Sequence, residues 1–564
     1  MPTFFRTLAE LCEELEATNK RLQMISLVAE FLRSLEIVEV EPATNLILGR
    51  PFPKWSEKTL EVNWATLSKV IGRTTRTDWN DFVGVFGATG DVGSATQLLL
   101  ESNKMDRQST LSGSELTIME VRHSFEVMAE IAGAGSRDRK ERLIESLLSL
   151  ASPLEAKYLV RVFIGEMRVG FYEGLMEQAI SEAFAIPLTT VQKASMTLGD
   201  VGEVATVAKE HGERGLLRID FEVFRPVKLM LARRARDVEE ALREHGGKTV
   251  LEYKLDGARV QIHKLNDEVR IFSRRLSDVT VSLPEIVETI KKNVKADEVI
   301  LEGEVIAVDN KGRPIPFQHL MRRFRRIYAI EKMTEKIPIK IYLFDILYLN
   351  GADLISIPYT RRRQVLAENI GEIPLTGQFT TESAEEAEKF LKKAIDAGHE
   401  GLVAKKVDSE YVPGIRGKYW LKIKPVLEPL DLVIVAAEYG YGRRHKWLSD
   451  YYLAAQDTEK GEFVIIGKTF KGLTDAEIIE MTRQLKELTV KEEGRRAVVL
   501  PKIVVEVLYN EIQKSPKYKS GMALRFARIS RIREDKPPQE ADTLQKVREI
   551  YEKQFKKKGK YKPG

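Results

Sequence analysis

The spacing of hydrophobic residues divides the chain into three parts. In residues 1–224, segments such as L-A-E-L-C-E-E-L-E place apolar residues three and four positions apart, which predicts amphipathic helices. In residues 225–425, short β-rich runs alternate with two or three helical stretches, which predicts an α+β domain with antiparallel strands. In residues 426–564, short strands separated by turns and one helix fit a five-stranded Greek-key barrel of the OB type. We therefore expect three domains with these boundaries.

The helical part contains a repeated segment. A-T-G-D-V-G-S at 88–94 is echoed by T-L-G-D-V-G-E at 197–203, and each follows a leucine-rich helical region and a glycine. The first copy superficially resembles a dinucleotide-binding fingerprint, which needs a preceding buried strand and a βαβ unit. Because the surroundings are helical and the segment recurs, a repeated turn in two related helical halves is favoured.

Composition narrows the class of protein. The 564 residues predict three or four domains, and 43% hydrophobic with 31% charged residues is typical of a globular chain. No apolar run approaches the roughly 18 residues of a membrane helix, and acidic residues interrupt the N-terminus where a signal peptide stays apolar. A single cysteine, Cys12, excludes an internal disulfide and a cysteine-based zinc site. We expect no membrane contact and a cytoplasmic location.

Positive charge is clustered although the net charge is only +5. Clusters occur at 322–326, 361–363 and 525–533, and in the lysine-rich tail. Phosphate is one partner for such clusters, and solvated helix faces with a frayed tail are the alternative. The clusters alone do not decide between these two interpretations.

The segment Y-K-L-D-G-A-R at 253–259 begins an ordered series of chemically useful residues. On its own, a lysine beside Asp-Gly indicates a turn with an exposed lysine. The series continues with I-F-S-R-R, I-L-E-G-E-V, Y-L-F-D-I-L-Y, E-G-L-V-A-K and W-L-K-I-K. Glu302 and Glu304, two positions apart, lie on one face of a strand. The joint occurrence in this order points to a functional site.

These residue types suit nucleotidyl transfer through a lysine. An amine attacks phosphorus only when it is unprotonated, which requires burial or neighbouring cations. The nearby arginines and lysines would neutralise phosphate charge, and Glu304 and Glu400 would hold Mg²⁺. Phe344 offers a ring for stacking a purine. No G-x-x-x-x-G-K-[S/T] sequence occurs, so ATP chemistry here would not use a P-loop.

The series resembles motifs I to V of the covalent nucleotidyltransferase superfamily, which comprises DNA ligases, RNA ligases and mRNA capping enzymes. R-F-A-R-I-S-R-I-R-E-D-K at 525–536 resembles motif VI of the ligases, with Ala527 in the place of the usual proline. S-P-K-Y-K-S-G-M-A-L-R-F and R-P-V-K-L-M-L-A are typical of archaeal and eukaryotic ATP-dependent DNA ligases. The resemblance covers the whole chain, is closest to the archaeal type, and identifies residues 1–224 with the DNA-binding domain.

The resemblance implies a role for each matched residue. Lys254 would be the nucleophile that becomes adenylated, Glu252 would contact adenine, and Phe344 would stack on it. Glu304 and Glu400 would bind the metal. Glu304 would also be one of the residues that bind the nucleotide cofactor.

The resemblance also assigns phosphate contacts to basic residues. Ribose or phosphate contacts fall to Arg259, Arg274 and Arg416; α-phosphate contacts to Lys422 and Lys424; and pyrophosphate contacts to Arg531, Arg533 and Lys536. The C-terminal domain would rotate between the steps of the reaction about a hinge near Pro425.

The implied activity is an ATP-dependent DNA ligase of replication, repair and recombination. Its cofactors would be ATP and Mg²⁺, with Mn²⁺ as an alternative, and its main partner nicked duplex DNA. We expect a monomer in the cytoplasm of a prokaryote, associated with the nucleoid.

Two interfaces follow from the same resemblance. Lys157, Arg161 and Arg168, near the Gly165 and Gly170 turns, are expected to contact DNA phosphates with little sequence reading. A sliding clamp is a candidate partner, although the loop D-R-Q-S-T-L at 106–111 lacks the paired aromatic residues of a clamp-binding motif.

Two alternatives remain at this point. An RNA ligase or capping enzyme shares motifs I to V, and the repeated helical domain together with motif VI counts against both. A non-catalytic DNA-binding scaffold is the alternative from another class, and the intact lysine and carboxylate set counts against it.

Overall fold

The largest hydrophobic cores of the described residues each belong to one stretch of sequence. The computed structural model describes residues 2–56, 58–103, 115–324, 334, 336–412, 417–425, 427–441 and 444–555. Within them, separate apolar clusters lie in the N-terminal, middle and C-terminal parts. No helix in these ranges is long and apolar enough to cross a membrane. The predicted fold class is confirmed: a helical N-terminal part, a middle part with antiparallel sheets and a C-terminal sheet part.

The N-terminal part consists of helices throughout its described residues. They are α1 (Phe5–Ala17), α2 (Arg21–Ser34), α3 (Ile37–Ile47), α4 (Trp64–Thr75), α5 (Trp79–Thr89), α6 (Val92–Ser102), α7 (Ile118–Glu130), α8 (Ser136–Leu150), α9 (Pro153–Ile164), α10 (Glu173–Phe184), α11 (Leu188–Leu198) and α12 (Val201–Leu217). Short polar side chains cap several helix starts, as Asn63, Asp78 and Ser152 do by accepting a backbone N–H bond. Local sequence thus fixes where these helices begin.

The repeated G-D-V-G segments are two equivalent helix junctions. Gly90 and Gly199 end α5 and α11 with positive φ angles of 65° and 71°, and the next residue, Asp91 or Asp200, caps the following helix. α6 packs on α9 and α12 on α3. A Cβ atom on Gly93 would lie 2.6 Å from the Lys157 carbonyl oxygen, so glycine permits the close α6–α9 approach. Each copy of the segment is a turn between two helices, as the sequence favoured.

Helix α9 carries buried charge at the centre of this part. Arg161 is 1% exposed, and its guanidinium donates to Glu16 Oε2 at 2.8 Å and to Asp91 Oδ2 at 2.9 Å. Lys157 is 4% exposed and donates to Glu13 Oε1 at 2.8 Å. Both cations are enclosed and paired within the fold. A contact of Lys157 or Arg161 with DNA would require these pairs to open, and it stays a prediction.

The middle part combines two five-stranded sheets with helices on their outer sides. Its strands are β1 (Arg233–Arg234), β2 (Thr249–Lys254), β3 (Ala258–Leu265), β4 (Glu268–Ser273), β5 (Glu298–Ala307), β6 (Ile339–Leu349), β7 (Ala352–Asp353), β8 (Gln378–Thr381), β9 (Gly401–Lys406) and β10 (Trp420–Ile423). Its helices are α13 (Val238–Glu244), α14 (Pro284–Asn293), α15 (Phe317–Phe324), α16 (Tyr359–Asn369) and α17 (Ala384–Asp396). The first sheet has the order β1-β10-β9-β2-β8 and the second β4-β3-β5-β6-β7.

The strand pairing is antiparallel except between β1 and β10. The two sheets meet through an apolar cluster that also includes Met196 of α11, Val227 and Met230. This cluster therefore joins the helical part to the sheets.

The connection between the helical part and the sheets is held by side chains of β3. The Val227 N–H donates to Gln261 Oε1 at 2.7 Å, and Gln261 Nε2 donates back to the Val227 carbonyl at 3.1 Å. The Phe224 N–H donates to His263 Nδ1 at 3.0 Å. Burial lowers the pKa of His263 to about 3, so the ring stays neutral and keeps its acceptor nitrogen. Lys228 then reaches back to Ser195 Oγ of α11 at 2.6 Å.

The C-terminal part is a sheet domain with two helices. Its strands are β11 (Leu430–Tyr439), β12 (Leu448–Asp457), β13 (Glu462–Thr469), β14 (Thr489–Glu493), β15 (Arg496–Val499), β16 (Val504–Leu508), β17 (Glu511–Lys514), β18 (Met522–Arg525) and β19 (Arg528–Ile532). Its helices are α18 (Asp475–Glu487) and α19 (Leu544–Phe555). The predicted count of five strands is too low. Seven strands form one sheet and β17–β18 a ribbon, and closure into an OB-type barrel stays a prediction.

The C-terminal part contacts both other parts. The Arg495 guanidinium lies 3.6 Å from the ring centroid of Tyr441 and 6.0 Å from that of Phe86 in α5. The Arg525 guanidinium lies 5.2 Å from the ring centroid of Phe317 in α15. These contacts rest on cation–π attraction, which is worth about 0.5–1 kcal/mol at exposed sites. They are therefore weak contacts between the C-terminal part and the rest of the chain.

The burial of Arg161 leads to a first prediction. Arg161→Met should lower the free energy of unfolding by about 3–5 kcal/mol, because Glu16 and Asp91 lose their buried cation. Thermal unfolding followed by circular dichroism measures the effect, with Arg6→Met in the exposed Arg6–Glu10 pair as the control. The salt dependence of DNA binding should stay unchanged in both variants. A shallower salt slope in Arg161→Met alone would identify this residue as a DNA contact.

Candidate active site

Strand β2 ends at Lys254 and places it on the inner face of the first sheet. The antiparallel register sets Lys254 opposite Gly401, Glu252 opposite Val403, and Val250 opposite Lys405. Directly opposed residues share a face, and the face repeats every second residue. The β9–β10 register adds Trp420, opposite Lys405, and Lys422, opposite Val403. The matched lysines and Glu252 therefore share one face of the sheet.

Lys254 forms an ion pair with Glu400. The Lys254 Nζ lies 2.9 Å from Glu400 Oε2, and Lys424 Nζ lies 2.5 Å from the same oxygen. Although burial acts in the opposite direction, the carboxylates of Glu400 and Glu304 raise the pKa of Lys254. Burial alone would raise the pKa of Glu400. The cations of Lys254 and Lys424 outweigh this effect and hold the pKa of the carboxyl well below its usual range.

Gly401 makes this arrangement possible. Its φ angle is +142°, and a Cβ atom at this position would collide with the Ile423 carbonyl oxygen. Only glycine permits both the backbone angle and the close approach of β9 to the end of β10. Glu400 and Lys424 flank this point of approach, so the glycine brings them to Lys254.

The second sheet supplies Glu304 and Arg259. These two residues are directly opposed in the β3–β5 register. Burial, together with the nearby carboxylates of Glu400 and Asp256, raises the pKa of Glu304 to about 7. The cations of Lys254 and Arg259 act in the opposite direction and lower it. Glu304 is thus electrostatically coupled to the Lys254–Glu400 pair across the cleft between the sheets.

Arg259 lies deep in the cleft and is mostly paired. Its guanidinium donates to the Met230 carbonyl and to Glu302 Oε2, both at 2.6 Å, and to the Tyr411 hydroxyl at 3.2 Å. Its Nε is buried without a hydrogen-bond partner among the described residues. One N–H donor therefore remains for a polar ligand in the cleft.

Phe344 and Glu252 form the inner end of the cleft. Phe344 is 7% exposed, with the Arg259 guanidinium 5.3 Å from its ring centroid and Trp420 packed edge-on at 6.1 Å. Glu252 is 2% exposed and accepts hydrogen bonds from protein donors. The structure brings both close to the lysine-bearing face, as expected for residues that would recognise a base.

Other matched residues lie away from this cluster or outside the described residues. Arg274 lies in the exposed turn after β4, and Arg416 lies outside the described residues. The motif VI cations Arg533 and Lys536 donate to Asp431 of their own domain at 3.0 and 2.6 Å.

Arg531 of motif VI and Arg168 of the helical part both have partners within the protein. Arg531 is 3.1 Å from Glu506. Motif VI thus carries paired cations. Arg168 is the one expected DNA contact on the surface, where it donates to the Gly90 carbonyl at 3.0 Å.

Sequence reasoning missed several residues that support the site. Tyr411 donates to Glu302 Oε1 at 2.8 Å and thereby fixes the partner of Arg259. Lys405, Tyr359 and Arg363 surround Glu252. A signal for Lys405 lies in the sequence, since it is a charged residue within the apolar strand segment G-L-V-A-K.

The carboxylates of the cleft suit a divalent cation. No group of three or more His, Cys, Asp or Glu side chains suited to a metal occurs in the described ranges. Mg²⁺ is commonly held by one or two carboxylates together with substrate phosphates. The carboxylates of Glu304 and Glu400, on facing sheets beside Lys254, fit that requirement.

Two facing antiparallel sheets with this lysine, carboxylate and aromatic set define the class of covalent nucleotidyltransferases. Three family profiles match: the DNA ligase N terminus at 4–181, the ATP dependent DNA ligase domain at 229–424 and the ATP dependent DNA ligase C terminal region at 444–536.

Curated relatives match along the whole chain. The DNA ligase of Thermococcus onnurineus is 45% identical over 99% of both chains, and that of Archaeoglobus fulgidus is 43% identical over 98% of this chain and 99% of its own. The chain belongs to the ATP-dependent DNA ligase family.

The solved structure named Pmar-Lig_Pre has a similar fold. It is 18% identical, covers 93% of this chain and 99% of its own, and superimposes with a TM-score of 0.59. The prediction of an ATP-dependent DNA ligase is confirmed by the family, and the alternatives of an RNA-joining enzyme, a capping enzyme and a scaffold are set aside.

The Gly401 geometry yields a second prediction. Gly401→Ala should reduce nick sealing at least about 100-fold, because the added Cβ pushes β9 from β10 and separates Glu400 and Lys424 from Lys254. Sealing of a fluorescent nicked duplex measures the loss. Gly417→Ala is the matched control, since a Cβ there has no atom within 4 Å and φ is not in the left-handed region. Equal activity of both variants would show that the close approach is not needed.

Proposed function

We propose that the Lys254 amine carries AMP during the sealing of nicks in duplex DNA. The amine attacks the α-phosphorus of ATP, a P–N bond forms and pyrophosphate leaves. The AMP then passes to the 5′-phosphate at the nick. The 3′-hydroxyl finally attacks that phosphate, a phosphodiester bond forms and AMP leaves. The observation that carries this proposal is the position of Lys254 between the sheets, 2.9 Å from Glu400.

The ion pair controls the reactivity of the amine. An ammonium has no lone pair for attack, and Glu400 favours that form by raising the pKa of Lys254. Burial acts in the opposite direction, so separation of Lys254 from Glu400 lowers the pKa and frees the amine. Lys424, which shares Glu400, is placed to take over the carboxylate or to contact the α-phosphate.

The remaining nucleotide contacts follow from the faces of the two sheets. Glu252 and Phe344 bind the base, and Arg259 meets the ribose or phosphates through its unpaired Nε. Lys422, on the same face as Lys254, joins Lys424 at the α-phosphate. Arg274 and Arg416 complete the ribose and phosphate contacts.

Glu304 and Glu400 are the proposed ligands of Mg²⁺, with Mn²⁺ as an alternative. Their support is the shared electrostatic environment around Lys254 and the suitability of carboxylate oxygens for a hard cation. When bound, the ion would neutralise phosphate charge. The two carboxylates would hold it in the cleft beside Lys254.

Motif VI acts in the first step through a movement of the C-terminal domain about a hinge near Pro425. Arg531, Arg533 and Lys536 would meet the pyrophosphate once the domain turns toward the cleft. Support comes from the weak contacts of this domain with the rest of the chain and from the ion pairs that hold Arg533 and Lys536 in fixed positions. Domain boundaries at 224/225 and 425/426 fit the three separate cores.

The interaction with DNA and the cellular setting are proposals as well. The helical domain would meet the duplex through phosphates, with Arg168 at its surface as a contact. A sliding clamp remains a candidate partner, although the loop at 106–111 lies outside the described residues. We propose a monomer in the cytoplasm, associated with the nucleoid, that serves replication, repair and recombination.

Replacement of the nucleophile gives the third prediction. Lys254→Ala should abolish self-labelling with ATP that is radiolabelled at the α-phosphate, because no amine remains to form the P–N bond. A denaturing gel followed by a chase with nicked DNA detects the covalent adenylate and its transfer. Lys248→Ala, in which an exposed lysine six residues away is removed, should label like the parent chain. Residual labelling of Lys254→Ala would assign the adenylate to another residue.

The motif VI assignment gives the fourth prediction. Lys536→Ala should slow self-adenylation at least about tenfold and slow sealing of a pre-adenylated nick less than about threefold, because only the first step releases pyrophosphate. Rapid-mixing assays of the two steps measure both rates. Lys491→Ala removes a 68% exposed lysine side chain of the same domain and is the control. Equal losses in both steps would contradict a role limited to the first step.

A further inference from the structure

A buried lysine holds the carboxylate that faces the base. Lys405 is 1% exposed, and its Nζ lies 2.8 Å from Glu252 Oε2. The same Nζ lies 4.7 Å from the ring centroid of Phe344, 4.5 Å from that of Tyr359 and 4.3 Å from that of Trp420. An ammonium enclosed by three rings and one carboxylate is fixed in place by cation–π and ionic contacts.

The other oxygen of Glu252 is also held. The buried Tyr359 hydroxyl donates to Glu252 Oε1, and Arg363 NH1 lies 3.5 Å from the same oxygen. Arg363 is itself anchored to the carbonyls of Leu343 and Thr376 at 3.1 and 2.6 Å. Each donor therefore comes from a side chain that is fixed elsewhere in the fold.

The number of acceptor positions on Glu252 leaves room for a ligand. An ionised carboxylate offers about four hydrogen-bond acceptor positions and no donor. Lys405 and Tyr359 take two of them, and Arg363 adds a longer ionic contact at 3.5 Å. At least one acceptor position remains, on the sheet face that also carries Lys254.

We propose that Lys405 is a positioning residue that sets the base specificity of the nucleotide site. It holds the Glu252 carboxylate in a fixed orientation, so that a free acceptor position takes the 6-amino donor of adenine. This inference rests on the proposed function of the cleft. A purine with an oxo group at position 6 would instead bring a carbonyl oxygen against the carboxylate, and neither group could donate.

The magnitude of this selection follows from the chemistry of the contact. A hydrogen bond to a charged group contributes about 1.5–3 kcal/mol, which corresponds to about 10- to 100-fold in binding. A site built to accept a hydrogen bond also rejects an analogue that lacks the donor, because its own polar group is left unpaired. Loss of Lys405 should therefore weaken the binding of ATP and also reduce the preference for ATP over a nucleotide with a 6-oxo purine.

The test compares self-labelling by ATP and by inosine triphosphate, both labelled at the α-phosphate. Lys405→Met should raise the ATP concentration for half-maximal labelling at least about tenfold. It should change the maximal labelling rate less than about threefold and lower the ATP-to-inosine-triphosphate preference at least about fivefold. Lys406→Met is the control, since Lys406 pairs with Asp408 and its side chain is 35% exposed.

A second variant covers the case in which Lys405→Met does not fold. Tyr359→Phe removes only the hydroxyl donor to Glu252 and should shift the nucleotide preference in the same direction by a smaller factor. Thermal unfolding identifies the folded variants. An unchanged ATP-to-inosine-triphosphate preference in folded Lys405→Met, or in Tyr359→Phe when Lys405→Met is unfolded, would overturn the proposal. Failure of the parent chain to label with ATP would instead overturn the function proposed for Lys254.

Discussion

The antiparallel register between β2 and β9 is the constraint on which the site depends. It sets Lys254 against Gly401 and Glu252 against Val403, so the proposed nucleophile and the proposed base contact share one face. A slip by one residue would turn Lys254 and Glu252 to the opposite face. Val250 and Leu251 are both fully buried, so a slip would also expose the apolar packing of the strand. The packing of the sheet and the chemistry of the cleft therefore require the same register.

Burial of charge is the second theme of the structure. Arg161, Arg362 and Lys405 are each at most 1% exposed, and each has a buried or partly buried carboxylate partner. Such pairs contribute little net stability, since desolvation offsets much of the attraction, but loss of one partner is costly. Their main effect here is geometric. The Arg362–Asp345 pair, with both side chains fully buried, holds α16 against β6 and so fixes Tyr359 beside Glu252.

The sequence was sufficient for the order of the parts and for the residues of the cleft, because that chemistry is carried by short segments with fixed spacing. It was insufficient where burial decides the role of a residue. Lys157 and Arg161 are four positions apart on α9 and look like a basic helix face. Their partners Glu16 and Asp91 are far away in sequence, so only the folded structure shows that the cations are enclosed.

The same limitation explains the other differences. Strand β14 carries an exposed T-V-K-E-E sequence that lacks the alternation of a half-buried strand, so the count of C-terminal strands was too low. The sequence predicts no role for Lys405 within E-G-L-V-A-K, because the three rings around its ammonium come from three separate segments.

The fastening of the 224–228 segment to β3 has a consequence for which parts of the chain can change their relative position. Gln261 and His263 grip the backbone at Phe224 and Val227, and Lys228 binds α11 from the other side. The helical domain and the two sheets are therefore rigidly connected. The C-terminal domain touches them through rings and guanidinium groups near the surface. The helical part and the two sheets therefore form one unit, and a change in domain arrangement would be confined to the C-terminal part.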